Sequence, residues 1–143
     1  MNSLKTCFLA LFTLGMVLLA GCGDSASSSP EQRLSGTWNL NSERILAETP
    51  EEHQDNAQMM LGMMGEMTFT FDMDALTLRV DSPMSEPEED SFEVVSSSSD
   101  ELVLASASDP NQMRVIFHDN DTIQLTGEAV EDDLPFPMFL VRQ

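Results

Sequence analysis

The chain has no tyrosine, one tryptophan, two histidines and two cysteines, and its six basic side chains face 25 acidic ones. Lys5 is the only lysine, and Cys7 and Cys22 both precede the first acidic residue. Beyond Cys22 the only basic side chains are Arg33, Arg44, Arg79, Arg114 and Arg142, giving that part a formal charge of about −20. A surface of that sign repels nucleic acid and anionic lipid faces, which excludes attachment through basic patches. It suits a salty exterior, where counter-ions screen self-repulsion. With both thiols near the start, no disulfide or thiol chemistry reaches the rest of the chain. His53 and His118 lie far apart in sequence, so a zinc site with three protein ligands would have to borrow carboxylates. There is no nucleophile elbow, phosphate-cradling glycine loop or Cys/His pair. Carboxylate pairs arise by chance at this acidity. The chain reads as a non-enzyme that requires no cofactor.

What is present begins with an export-type segment: Lys5, an apolar run from Cys7 to Leu19, then the small residues Ala20 and Gly21. The run is shorter than the roughly 20 residues a membrane-crossing helix needs. Leu19-Ala20-Gly21-Cys22 resembles the lipobox of bacterial lipoproteins. The resemblance implies a signal peptide over residues 1–21, cleavage before Cys22, and acyl chains on its sulfur and new amino group. Each buried methylene contributes about 0.8 kcal/mol, so two or three chains hold a protein to one leaflet. Gly23 in the second mature position implies, by similarity to enterobacterial sorting, the periplasmic side of the outer membrane. The Ser-rich stretch after Gly23 reads as a flexible tether over residues 22–33, ahead of a single domain over 34–143.

Within that domain, Gly36–Leu40 alternates as a first strand. Thr49 as N-cap, Pro50 at the first helical position and Glu52 completing a capping box predict a helix from Pro50 to Met64. Ala57, Met60, Leu61 and Met64 form its apolar stripe and Gly65 its stop. The period then changes to two. Met67, Phe69 and Phe71, then Leu76, Leu78 and Val80, flank Asp72-Met73-Asp74 as a hairpin. Strands over 91–96, 101–105, 112–118, 122–127 and 137–142 complete eight, which predicts a mainly β domain. The fold class expected is a small antiparallel up-and-down barrel or curled meander with one helix between its first and second strands.

Gly36-Thr37-Trp38-Asn39-Leu40 followed by Ser42-Glu43 resembles the opening of the calycin group, the lipocalins and fatty-acid-binding proteins. That resemblance implies an arginine packed on Trp38 as a structural plug, a place Arg142 can take, and a concave interior for a small hydrophobic ligand. The Arg-x-Tyr carboxylate clamp of the fatty-acid-binding branch is missing, since the chain has no tyrosine. Met60, Met64, Phe69 and Phe71 are the residues expected to line such a ligand site.

Met59, Met60, Met63 and Met64 also offer soft thioethers suited to Cu(I), against the alternative that they pack irregular apolar surface. Asp72–Asp74 and Asp119–Asp121 lack the glycine and distal glutamate of a calcium loop and read as hairpin turns. The acidic runs 86–90 and 131–133 read as solvated loops. The functional expectation is a lipid-anchored envelope binding module. Its alternatives are an envelope interaction or assembly lipoprotein with a filled barrel, and Cu(I) handling. The expected partners are the membrane, reached through the lipid on Cys22, with a small hydrophobic ligand or an envelope protein.

Overall fold

A computed structural model describes residues 28–108, 111–127, 130, 134 and 136–143. The lipobox, Cys22, residues 1–27 and the acidic run 131–133 lie outside the described residues.

Eight antiparallel strands close into a barrel in sequence order: β1 (Gly36–Leu40), β2 (Thr68–Asp72), β3 (Thr77–Asp81), β4 (Glu88–Ser97), β5 (Glu101–Ser106), β6 (Gln112–Phe117), β7 (Thr122–Thr126) and β8 (Met138–Arg142). Closure comes from β8 pairing with β1, Trp38 opposite Arg142 and Leu40 opposite Leu140. The period-two pattern decides which side each residue faces. Trp38, Phe69, Phe71, Phe92, Leu102, Leu104, Val115, Phe117, Ile123, Leu125, Met138 and Leu140 form one buried cluster and fill the barrel. Alternate positions carry Thr37, Thr70, Arg79, Glu93, Arg114 and Gln124. Outward positions also include the apolar Val103, Ile116, Phe139 and Val141, which alternate with interior residues on β5, β6 and β8.

Among the described residues, three helices with full bounds decorate the barrel. The first, α1 (Pro30–Leu34), carries a full capping box, Ser29 Oγ accepting from the Gln32 N–H while the Gln32 side chain takes the Ser29 N–H. It starts four residues before Leu34, the domain boundary expected from the sequence, and Leu34 is completely buried at the barrel end. The second, α2 (Ser42–Glu48), is capped by Asn41, whose Oδ1 accepts from the Arg44 N–H at 3.1 Å. Its single buried side chain is Ile45. The third, α3 (Glu51–Met64), matches the expected helix to within a residue.

The start of α3 differs from expectation. Thr49 is not its N-cap: it ends α2, donating its hydroxyl to the Ile45 carbonyl at 2.6 Å, and no side chain caps α3. Gln54 ties the corner by donating to the carbonyls of Leu46 and Thr49. Ile45, Ala57, Leu61, Phe136 and Phe139 form a second buried cluster. Phe139 alternates with the interior residues Met138 and Leu140, so α2 and α3 lie against the outer side of β8.

Three of the five arginines lie on aromatic rings. Arg33 sits 4.3 Å from the Phe117 ring centre, Arg44 4.5 Å from Phe139 and Arg142 4.3 Å from Trp38. Such stacking uses a guanidinium as cover for apolar surface as well as a charge.

Candidate functional site

Strand direction separates the two ends of the barrel. One end gathers α1, the start of β1, the end of β8 and the turns after β2, β4 and β6. It is sealed. Trp38 donates its indole N–H to the Leu34 carbonyl at 2.8 Å, so α1 is fastened to the ring beneath it. Arg142 covers the same ring and donates to the carbonyls of Arg33 and Ser35. Gly36 has φ +128, and a Cβ there would meet Arg142 Nη1 at 3.0 Å. Glycine therefore makes room for the arginine. The Asx turns at this end are built as the sequence suggests: Asp72 Oδ1 accepts from the N–H groups of Asp74 and Ala75, and Asp119 Oδ1 from that of Asp121.

The opposite end holds a pocket of about 260 Å³ between β3, β4, β5 and β6. Cross-strand register builds it. Leu78 faces Asp90, Phe92 faces Ser106, and Leu104 faces Met113. Residues opposite one another share a face, and so do residues two apart, so all six point inward. Leu78, Phe92, Leu104 and Met113 make an apolar floor that continues into the filled core. Asp90, Ser91, Ser106, Ser108 and Asn111 make a polar rim. A shallower recess of about 510 Å³ adjoins it through Leu78, Asp90 and Ser108, lined also by Val80, Glu88 and Glu89.

Asp90 is held in place from three sides. One carboxylate oxygen accepts from Ser106 Oγ and from Ser108 Oγ, the latter at 2.9 Å, and the other from the Ser91 N–H at 2.9 Å. The Ser106 hydrogen bond, against the opposing effect of burial and with help from Ser108 and Ser91, holds this carboxyl below its ordinary value. The rim thus presents an oriented, ionised carboxylate above an apolar floor.

The residues expected to line a ligand site do not come together. Phe69 and Phe71 are buried in the barrel core, whereas Met60 and Met64 pack into the second cluster with α2 and β8. The four thioethers divide similarly: Met60 and Met64 turn toward that cluster, while Met59 and Met63 are 60% and 54% exposed. His53 lies 3.6 Å from Glu52 on the first turn of α3, and His118 contacts Gln124 at 3.0 Å just past β6. Among the described residues, no three His, Cys, Asp or Glu side chains converge to hold a metal ion.

The pocket is absent from the expectations drawn from the sequence. Residues 86–90 read there as a solvated loop, yet β4 begins at Glu88. The available signal is the alternation of Glu88, Asp90 and Phe92, which continues a strand through an acidic run.

Fold and mouth together define the class: a closed eight-stranded antiparallel barrel with a sealed end, a filled interior and a small pocket at the other end. Among solved structures, the chain is similar to Tp0751 (pallilysin) from Treponema pallidum, with a TM-score of 0.50 and 10% identity over 81% of this chain and 83% of that one. At that identity the likeness concerns the fold. No family model and no curated protein matches the chain.

Proposed function

We propose that the protein is a lipid-anchored envelope binding module whose ligand occupies the pocket at the barrel mouth. The observation that carries this reading is the apolar floor under an ordered polar rim, placed above a core packed with its own side chains. Its volume falls just below the roughly 300 Å³ at which pockets for drug-sized molecules begin, so the ligand is small. Binding fits a site whose described lining sets an oriented carboxylate, held by two serine hydroxyls, beside four apolar side chains. Anchoring through Cys22 belongs to the same reading: acyl chains there would hold the barrel at a membrane surface, a place that its outward Thr37, Thr70, Arg79, Glu93, Arg114 and Gln124 suit.

Native mass spectrometry of the full chain, released from its own membranes in a mild detergent, tests both parts. The expected spectrum shows Cys22 as the first residue, bearing acyl chains, and a small co-purifying ligand that is lost on Leu104→Trp. An unmodified Cys22 would remove the anchor, and a mass with no ligand under any release condition would remove the binding module.

A second reading, an interaction or assembly lipoprotein, is favoured by the filled interior and by Met59 and Met63, exposed one turn apart on α3. It predicts that crosslinking in cells captures one envelope protein in stoichiometric amount and that Met59→Glu with Met63→Glu abolishes the capture. A capture unchanged by that pair of substitutions would count against α3 as the contact.

A further inference from the structure

We infer that the mouth pocket selects a small alkylammonium compound, its cationic head on Asp90 and its hydrocarbon tail on Leu78, Phe92, Leu104 and Met113. The inference rests on the binding-module reading and adds the ligand class to it. Two features of the pocket carry it, and they are independent.

The first is chemical contrast within one small cavity. Four apolar side chains floor it, and the charged group among its lining residues is a carboxylate. A ligand with a negative head would meet Asp90, with Glu88 and Glu89 behind it in the adjoining recess. A ligand with no head group would gain nothing from the rim carboxylate, which is exposed to water at the edge of the floor. An ammonium satisfies both halves of the cavity at once, and its charge-assisted hydrogen bond is the strong kind.

The second is preorganisation. Ser106 and Ser108 hydroxyls fix one oxygen of Asp90 and the Ser91 N–H fixes the other, so the carboxylate is already oriented before a ligand arrives. Less rotational freedom remains to be lost on binding. The basic side chain nearest in strand register, Arg79, stands opposite Glu89 on the outer face and is engaged with Asp81 through a two-pronged contact at 3.0 Å. It leaves the inner carboxylate to a ligand.

The test uses the full chain in nanodiscs of zwitterionic lipid, with the methyl resonance of Met113 as the reporter. Hexylammonium, 1-hexanol and hexanoate share a six-carbon tail and differ in the head. Hexylammonium is expected to move Met113 with an affinity about tenfold or more above that of hexanol, the worth of one hydrogen bond to a charged group. Hexanoate is expected to leave it unmoved. Asp90→Asn is expected to bring hexylammonium down to the level of hexanol while hexanol binding persists, which shows that the variant is folded and its floor intact. Glu52→Gln, on distant α3, is expected to change nothing, separating a specific contact from general attraction to an acidic surface. If none of the three compounds moves Met113, the mouth is not a binding pocket and both readings fall. If hexanol binds as tightly as hexylammonium, or Asp90→Asn leaves hexylammonium unaffected, the pocket stands and the ammonium assignment is overturned. Tighter binding of an acetylated, amidated lysine than of hexylammonium would also overturn it, assigning the site to a lysine side chain of a protein partner.

Discussion

The guanidinium of Arg142 lies 4.3 Å from the ring centre of Trp38, the residue directly across from it in the β1–β8 ladder. One contact therefore joins the last strand to the first at the sealed end, and the same arginine reaches the α1 segment through the carbonyls of Arg33 and Ser35. The barrel seam, the helix and the core tryptophan share a single fastener.

Removing that fastener has a predictable cost. Arg142→Ala loses the ring contact and the carbonyl hydrogen bonds together, and denaturant unfolding should show a loss of about 2–4 kcal/mol. Arg142→Lys should recover less than half, because an ammonium cannot stack flat and fork to two carbonyls. A lysine variant as stable as the parent would show that the planar fork is irrelevant.

Two glycines should respond in opposite directions to alanine. Gly127 has φ +120 and a Cβ there would lie 2.3 Å from the Gln112 carbonyl oxygen, backbone that cannot move aside cheaply. Gly127→Ala should cost about 3 kcal/mol or prevent folding. Gly62 lies inside α3 with nothing within 4 Å of the added carbon. Gly62→Ala should raise stability by about 0.5–1 kcal/mol. Thermal melts of the pair check both, and equal effects would contradict the backbone geometry.

The Asp90 carboxyl titrates below its ordinary value because Ser106, then Ser108 and Ser91, donate to the ionised form. A carboxyl depressed by folding adds stability above its unfolded value of about 4 and loses that contribution as pH falls through its folded value. Ser106→Ala with Ser108→Ala should therefore raise the Asp90 value, as read by carboxyl carbon NMR titration. The variant should also begin to lose ammonium binding at a higher pH. A titration curve identical to the parent's would show that the serines do not orient the carboxylate.

The barrel is legible in the sequence because its interior is filled: every strand must alternate, and Phe69/Phe71, Leu102/Leu104 and Ile123/Leu125 announce that period directly. The stripe of Ala57, Met60, Leu61 and Met64 announces α3 in the same way. Short helices with one buried side chain each have no period to read, so α1, resting on Leu34, and α2, resting on Ile45, leave no such trace. Thr49-Pro50 is ambiguous for a physical reason, since a threonine hydroxyl closes a preceding helix as well as it opens a following one. The mouth pocket is hidden because its key residue stands in Glu86-Pro87-Glu88-Glu89-Asp90, where strong acidity masks the inward-facing phase of a strand. The methionines mislead through proximity in sequence. Met60 and Phe69 are nine positions apart, yet the barrel wall divides the clusters they join.

The methionine methyl spectrum of the full chain offers the most direct check of where ligands bind, because the residues report on separate places. Met113 borders the mouth, Met138 lies in the filled core, and Met60 and Met64 sit under the helices outside β8. Titration with small amphiphiles should shift Met113 while Met138, Met60 and Met64 stay still. Movement of Met138 would reveal a hollow interior, movement of Met60 and Met64 alone would place the site beneath the helices, and either result would contradict binding at the mouth.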